Sequence, residues 1–295
     1  MRGRIVKGIG GFYYVKTEQG IIQTRGRGLF RKEGITPMVG DEVDISISKE
    51  DSDGDGMIQR IMPRRNAFQR PPVANVDTVV IVFAAKKPKP VFEIIDKFLI
   101  TAESNHAEPI LCMNKCELLK TDKREEMEGR YRGLYPFFSV SAKTGEGLDE
   151  LKEVLKGRHT AFAGPSGVGK SSLINLLVPD AEMETSSVSQ KTRRGRHTTR
   201  HVEIFDYPLG GLIFDTPGFT SFDLSGVEPE DLDQYYPEMV PFIGHCRFDN
   251  CRHLKEPGCA VREAVERGDI REERYQSYVR GYQELSEKAQ DWKRK

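Results

Sequence analysis

The stretch Gly164-Pro165-Ser166-Gly167-Val168-Gly169-Lys170-Ser171 decides the fold. It satisfies G-x-x-x-x-G-K-[ST] at every fixed position. Before it, Thr160-Ala-Phe-Ala163 is an apolar run suited to the end of a strand. After it, Ser172-Leu-Ile-Asn-Leu-Leu177 carries an apolar face at helical spacing. Strand, glycine-rich loop and helix in that order make a phosphate cradle. The glycines let successive backbone N–H groups converge, and the helix start favours negative charge. Lys170 is then placed to reach β- and γ-phosphates, and the Ser171 hydroxyl to ligate Mg²⁺. Residues 164–171 and Ser172 are therefore the expected phosphate site.

Four further segments read as nucleotide motifs, three of them after a strand-like run. Asn114-Lys115-Cys116-Glu117 follows Pro109-Ile-Leu-Cys-Met113 and resembles the guanine-specificity motif N-K-x-D. Glu117 replaces the usual Asp, with the same paired acceptor oxygens on a stem one methylene longer. Ser141-Ala142-Lys143 follows Pro136-Phe-Phe-Ser-Val140 and resembles the second guanine loop, whose backbone N–H meets the guanine O6. Gly195-Arg-His-Thr-Thr-Arg200 is a candidate switch I. Asp215-Thr-Pro-Gly218, after Gly211-Leu-Ile-Phe214, looks like switch II, with Asp215 and Gly218 its fixed positions. GTPases usually begin with the P-loop. Here N-K-x-E and S-A-K come first, so the chain reads as a circular permutation. A parallel sheet tolerates this when its strands keep their places and the ends are rejoined at the surface. The helix-periodic stretch 145–155 and Lys156-Gly-Arg158 supply that connection.

On these motifs the chain closely resembles the YjeQ/YloQ family of ribosome small-subunit-dependent GTPases (RsgA), over essentially its whole length. The resemblance implies a multidomain fold. An N-terminal OB-fold β-barrel that binds RNA would span 1–68, a circularly permuted P-loop α/β GTPase domain 69–223, and a C-terminal α-helical zinc-binding domain 224–295. It also implies a GTP hydrolase that binds the small (30S) ribosomal subunit and its rRNA in late maturation. Hydrolysis would be stimulated by the subunit and coupled to release.

The remaining sequence is read on its own residues. Short β-rich runs at 4–7, 12–15, 20–23, 42–47 and 57–61 suit a small barrel. The Asp51–Gly56 turn imitates a calcium loop, but its twelfth position is Met62, so it reads as a hairpin turn. The first 32 residues hold eight basic side chains and one acid, Glu18, with Phe12, Tyr13 and Tyr14 among them. Basic groups neutralise phosphates and aromatics stack on bases, which suits RNA; the composition equally suits a solvated surface with ordinary core aromatics, and the family resemblance is what favours RNA. Alternate positions of a barrel strand face inward, so at most about half of the aromatic trio is free to stack. Phe68–Asn75, with two prolines, reads as an interdomain linker.

Cys246-x4-Cys251-x-His253-x5-Cys259 packs three thiols and one imidazole into 14 positions, a complete tetrahedral shell for one structural Zn²⁺. The adjacent His245 is a competitor to Cys246, which we favour because neighbouring residues rarely point at one metal. Cys112 and Cys116 read as packing residues. The stripe Tyr275, Tyr278, Val279, Tyr282 and Leu285 has the spacing of a helix core face.

Lys+Arg and Asp+Glu number 45 each, so net charge alone points to no nucleic-acid partner. The longest apolar run, Val79–Ala85, is far below the roughly 20 residues of a membrane span and reads as a central parallel strand. Five cysteines, the absence of an export signal and a nucleotide site indicate a reducing cytoplasm, and the chain is expected to be a monomer. Phe219 stands where many GTPases place a water-orienting Gln. His197, among Lys191, Arg193, Arg194, Arg196 and Arg200, is either the group that orients the attacking water or an RNA contact. Thr198 or Thr199 would bring a hydroxyl to Mg²⁺ and the γ-phosphate. Two rival readings are a metabolic P-loop enzyme such as a kinase, against which the full set of guanine motifs stands, and a non-catalytic RNA-binding scaffold with a regulatory GTP site, against which Lys170, Ser171 and Asp215 stand intact.

Overall fold

Alternating apolar positions and glycine turns shape the first sixty residues. In the computed structural model, β1 (Arg2–Ile9), β2 (Phe12–Thr17) and β3 (Gly20–Gly26) form a meander, and α1 (Gly28–Lys32) leads to β4 (Glu42–Ile47) and β5 (Gly56–Ile61). The structure describes residues 1–47, 56–181, 202–216, 224 and 226–293. Residues 51–55 of the calcium-like turn lie outside them. The strand order is β1-β2-β3-β5-β4, and β4 pairs back onto β1, so the five strands close into a barrel. Ile5, Val15, Val43, Ile45 and Ile58 fill it.

The expected linker is instead a packed hairpin of β6 (Ala67–Gln69) and β7 (Pro72–Ala74), with Phe68, Val73 and Ala74 buried. Its prolines sit in the turn and at the first strand position, where they cost little ladder bonding. The Ala74 N–H donates to the Val39 carbonyl at 2.9 Å, and the Asn75 side-chain amide to the Gly40 carbonyl at 3.0 Å. Gly40 has φ 98°, and a Cβ there would lie 2.1 Å from the Ala74 oxygen, so only glycine permits this approach.

The next strands and helices alternate: β8 (Thr78–Ala84), α2 (Phe92–Ser104), β9 (Glu108–Asn114), α3 (Thr121–Gly129), β10 (Phe137–Ser139), α4 (Leu148–Val154), β11 (His159–Ala163) and α5 (Lys170–Leu177). The antiparallel pair β12 (Glu203–Asp206) and β13 (Leu212–Asp215) follows. Sheet order is β10-β9-β8-β11-β13-β12, parallel except for β12. Every residue of β8 is buried. Val79, Ile81 and Phe83 pack in the same cluster as α2, while Val80 and Val82 pack with α4 and α5. Burial on both faces explains why this run shows no polar alternation. The permutation is visible in space: β8 and β9 precede β11 in the chain, yet β11 lies between β8 and β13. The P-loop and guanine loops leave the C-terminal ends of parallel strands, where open α/β sheets bind ligands.

Beyond Leu224 come a 3₁₀ helix (Pro229–Tyr235), α6 (Ala260–Arg267) and α7 (Glu272–Lys293). Tyr275, Tyr278 and Leu285 are buried in a core with Leu232, Tyr236 and Val261, and Val279 and Tyr282 pack partly against it, so the tyrosine stripe is core. Ile100 of α2 belongs to the same cluster. Arg274 of α7 is fully buried and pairs with Asp96 of α2 at 2.6 Å and with Glu238 at 2.5 Å, while the Tyr131 hydroxyl donates to Asp96 at 2.8 Å. The C-terminal region is therefore fastened to α2 by a charged network sealed from water. Removing one partner of such a pair costs about 3–5 kcal/mol, because the other charge is left buried alone.

Candidate nucleotide site and metal cluster

Two glycines of the P-loop are required by close approach. Gly164 has φ 141°, and a Cβ there would meet the Val82 carbonyl oxygen at 2.0 Å. Gly169 has φ 100°, and a Cβ would meet Asn114 Nδ2 at 2.3 Å. The Lys170 ammonium curls back over the loop and donates to the carbonyls of Gly164 at 2.6 Å and Pro165 at 2.9 Å. Burial pushes its pKa down to about 8, against the opposing pull of Asp215. Burial likewise pushes the Asp215 carboxyl up to about 6, with Lys170 working against it and Glu203 adding to it. Ser171 and Ser172 lie half-buried in the first turn of α5, and Ser166 and Gly167 are exposed at the loop tip.

Asn114 ties the site together. It is buried at the end of β9. Its Oδ1 accepts from the backbone N–H groups of Lys115 at 2.8 Å and Ala142 at 3.0 Å, and its Nδ2 donates to the Val168 carbonyl at 2.8 Å. One side chain thus joins both guanine-loop segments and the P-loop. Lys115, with φ 62°, donates from Nζ to the carbonyls of Gly167 at 2.7 Å and Lys87 at 2.6 Å. Glu117 follows in a 3₁₀ turn (Cys116–Leu118), and its buried Oε2 has no hydrogen-bond partner among the described residues. Ser141 is buried, and its hydroxyl oxygen accepts from the Thr144 N–H at 3.1 Å; Lys143 is exposed. Cys112 and Cys116 are buried packing residues, and burial pushes the Cys116 thiol up to about 11.

Asp215 ends β13, and the buried Thr216 hydroxyl donates to the Phe162 carbonyl at 3.0 Å. Gly218, Phe219 and the candidate switch I residues His197, Thr198 and Thr199 lie outside the described residues, as do the basic residues 191–200 around them.

In the C-terminal region, ligand atoms of Cys246, Cys251, His253 and Cys259 lie within 4.8 Å of one another, and His245 is exposed and outside the group. A tetrahedral zinc shell needs about 3.8 Å between sulfurs and about 3.6 Å between nitrogen and sulfur, from its bond lengths. Cys246 and Cys259 sulfurs are 3.9 Å apart, and His253 Nδ1 is 3.5 Å and 3.3 Å from them. The donor set fits such an ion. His253 Nε2 points the other way, to Asp233 Oδ2 at 3.1 Å. That carboxylate fixes the tautomer that leaves Nδ1 free to ligate. Asp233 lies twenty positions upstream, and nothing in its local sequence marks it. Tyr275 and Tyr278 donate from their hydroxyls to the carbonyls of His253 and Arg252, which ties the cluster to α7.

The basic N-terminus is less available than its composition implies. Arg2 pairs with Asp44, Arg4 with Glu42, Lys7 with Glu203 and Lys16 with Asp206. The acids come from β4 and β12, outside the 32 residues counted. Tyr13 and Tyr14 pack partly against the core, and the Arg25 guanidinium lies 4.5 Å over Phe12. Arg27 and Lys32 line an open pocket beside Gly26 and Gly28. No helix among the described residues is long and apolar enough to cross a membrane.

Comparison with known proteins agrees with this architecture. The family model described as RsgA GTPase matches residues 61–225, and the RsgA N-terminal domain matches 2–58. The small ribosomal subunit biogenesis GTPase RsgA of Caldanaerobacter subterraneus subsp. tengcongensis is 47% identical over 98% of this chain and 97% of its own. Its namesake from Agathobacter rectalis is 45% identical, covering 97% and 98%. Among solved structures, YjeQ from Thermotoga maritima superposes with TM-score 0.81 at 39% identity, covering 96% of this chain and 98% of that one. YloQ, described as a circularly permuted GTPase, gives 0.78 at 37%, covering 97% and 95%.

Proposed function

The chain belongs to the RsgA GTPase family and hydrolyses GTP, and on that premise we propose that it acts in late maturation of the small ribosomal subunit. In this reading it binds the subunit and its rRNA in the GTP state and leaves after hydrolysis. It works as a cytoplasmic monomer with a barrel over 1–68, a GTPase domain over 69–223 and a zinc domain over 224–295.

The observation that carries the nucleotide reading is the unpartnered, buried Oε2 of Glu117 beside a loop organised by Asn114. A buried carboxylate oxygen left without a donor is costly. The guanine N1–H and 2-amino group would supply donors there, and adenine presents neither at those positions. Binding should therefore favour GTP and GDP over ATP by several orders of magnitude, since sites built to hydrogen-bond reject ligands lacking the partner by about 10⁴–10⁵. A competition assay checks this, and equal affinity for ATP would sink it.

Residues 164–171 and Ser172 would cradle the phosphates, with Lys170 at the β/γ oxygens. Ser171 and Asp215 carry hard oxygen donors, which suit Mg²⁺. When bound with the nucleotide, Mg²⁺ neutralises charge on the β- and γ-oxygens. The Cys246/Cys251/His253/Cys259 shell would hold one structural Zn²⁺ with every position filled by protein. Thr198 or Thr199 is proposed for the γ-phosphate edge and His197 for the attacking water.

With Phe219 in place of a Gln, intrinsic turnover should be slow. Purified small subunits should raise it by orders of magnitude, as happens when a missing catalytic group is ordered or supplied. The stimulation should fall steeply with added salt, because phosphate contacts drive such binding. If small subunits leave the rate unchanged at low salt while large subunits raise it, the ribosomal assignment is wrong and the GTPase stands.

A further inference from the structure

The barrel and the GTPase sheet are one continuous sheet, joined where β1 pairs with β12. The register at that seam places charges in a row. Lys7 of β1 is opposite Glu203 of β12, and Glu203 is opposite Asp215 of β13. Directly opposed residues of antiparallel strands lie on one face with Cβ atoms about 4.5–5.5 Å apart. Two carboxylates so placed repel one another. The Lys7 ammonium holds the Glu203 carboxylate at 2.9 Å. A second ion pair, Lys16 to Asp206, fastens the same strand to the barrel.

We propose that Lys7 and Glu203 are positioning residues for the metal-binding edge of the nucleotide site, so that the seating of the barrel on β12 sets how strongly Asp215 attracts Mg²⁺. This rests on the GTP–Mg²⁺ reading above. Lys7 and Glu203 side chains are 33% and 42% exposed, and pairs this wet contribute little to stability. Their consequence is the field at Asp215, which stands directly opposite Glu203 across the β12–β13 pair. β12 also begins just after the residues read as switch I. A load on the barrel, such as bound RNA, that shifts β1 against β12 would change the charge facing Asp215 without touching the nucleotide.

The test is a Mg²⁺ titration of the affinity for a fluorescent GDP analogue, using the full chain at low ionic strength. Lys7→Met leaves the Glu203 charge uncompensated and should lower the Mg²⁺ midpoint about threefold, the size expected for one charge several ångströms away. Glu203→Gln should raise the midpoint by a similar factor. The double variant removes both charges, so its midpoint should fall between those of the two single variants, near the wild-type value. Lys7→Arg should keep the wild-type midpoint, and added salt should narrow every difference. Midpoints that do not move, or that move in the same direction for Lys7→Met and Glu203→Gln, overturn the proposal, because loss of packing alone has no charge sign. A wild-type chain whose GDP affinity ignores Mg²⁺ overturns the metal reading of the site together with it.

Discussion

Lys170→Ala should slow single-turnover GTP hydrolysis by about two to three orders of magnitude, the range found when one preorganised donor to a developing charge is removed. The free chain holds this ammonium over the P-loop, where the proposed function puts phosphate charge. It is bonded to the Gly164 and Pro165 carbonyls and poorly hydrated, with its pKa pushed down to about 8. Arriving β- and γ-phosphates offer stronger, charged acceptors than two carbonyls, so the interaction strengthens as charge gathers on the leaving group. The fold should survive, because the lysine stem lies beside the loop and the cores packed on β11 do not use it. The check is phosphate release at saturating GTP and Mg²⁺, with circular dichroism to confirm folding. A rate within threefold of wild type would remove Lys170 from the chemistry.

Replacing Cys251 or Cys259 with serine should release the metal and melt the region beyond Leu224. Structural zinc contributes about 10–16 kcal/mol of binding free energy near neutral pH, more than most domains have to spare. The sequence alone suggests a separate C-terminal core, whose loss would leave GTP binding largely intact. The structure adds α2 to that core. Ile100 belongs to the C-terminal cluster, and Asp96 is half of the buried pair with Arg274, so α2 should loosen with it. The P-loop and α5 pack in a different cluster and should stay protected. Hydrogen exchange should show fast amides at 92–104 and beyond 226 in the variant, with slow amides kept at 159–163. Protein purified without chelator that contains no zinc by elemental analysis would falsify the premise.

The parts legible in the sequence share one property: each depends on neighbours in the chain. The 164–171 loop, the strand run at 79–85, the five short barrel strands and the cysteine–histidine cluster are local patterns. The order of the nucleotide motifs revealed the permutation because each motif is itself local. The Phe68–Asn75 reading failed for the complementary reason. Two prolines look like a linker, yet Phe68 and Val73 find a core to bury in and Ala74 finds the Val39 carbonyl. The charge of the basic N-terminus was only partly legible for the same reason, since the acids that pair with Arg2, Arg4, Lys7 and Lys16 are distant in sequence.

From its residues alone, this chain specifies a P-loop, the N-K-x-E and S-A-K segments, a Cys₃His cluster and the order in which they are threaded, because backbone geometry and ligand chemistry act over a few residues. Tertiary structure alone decided that Asn114 joins three loops, that Asp233 stands behind His253, that Arg274 is sealed against Asp96, and that Lys7, Glu203 and Asp215 form one row. These are matters of strand register and helix packing. Register is set by the summed burial of whole faces, and a shift of one residue would turn each of these partners away.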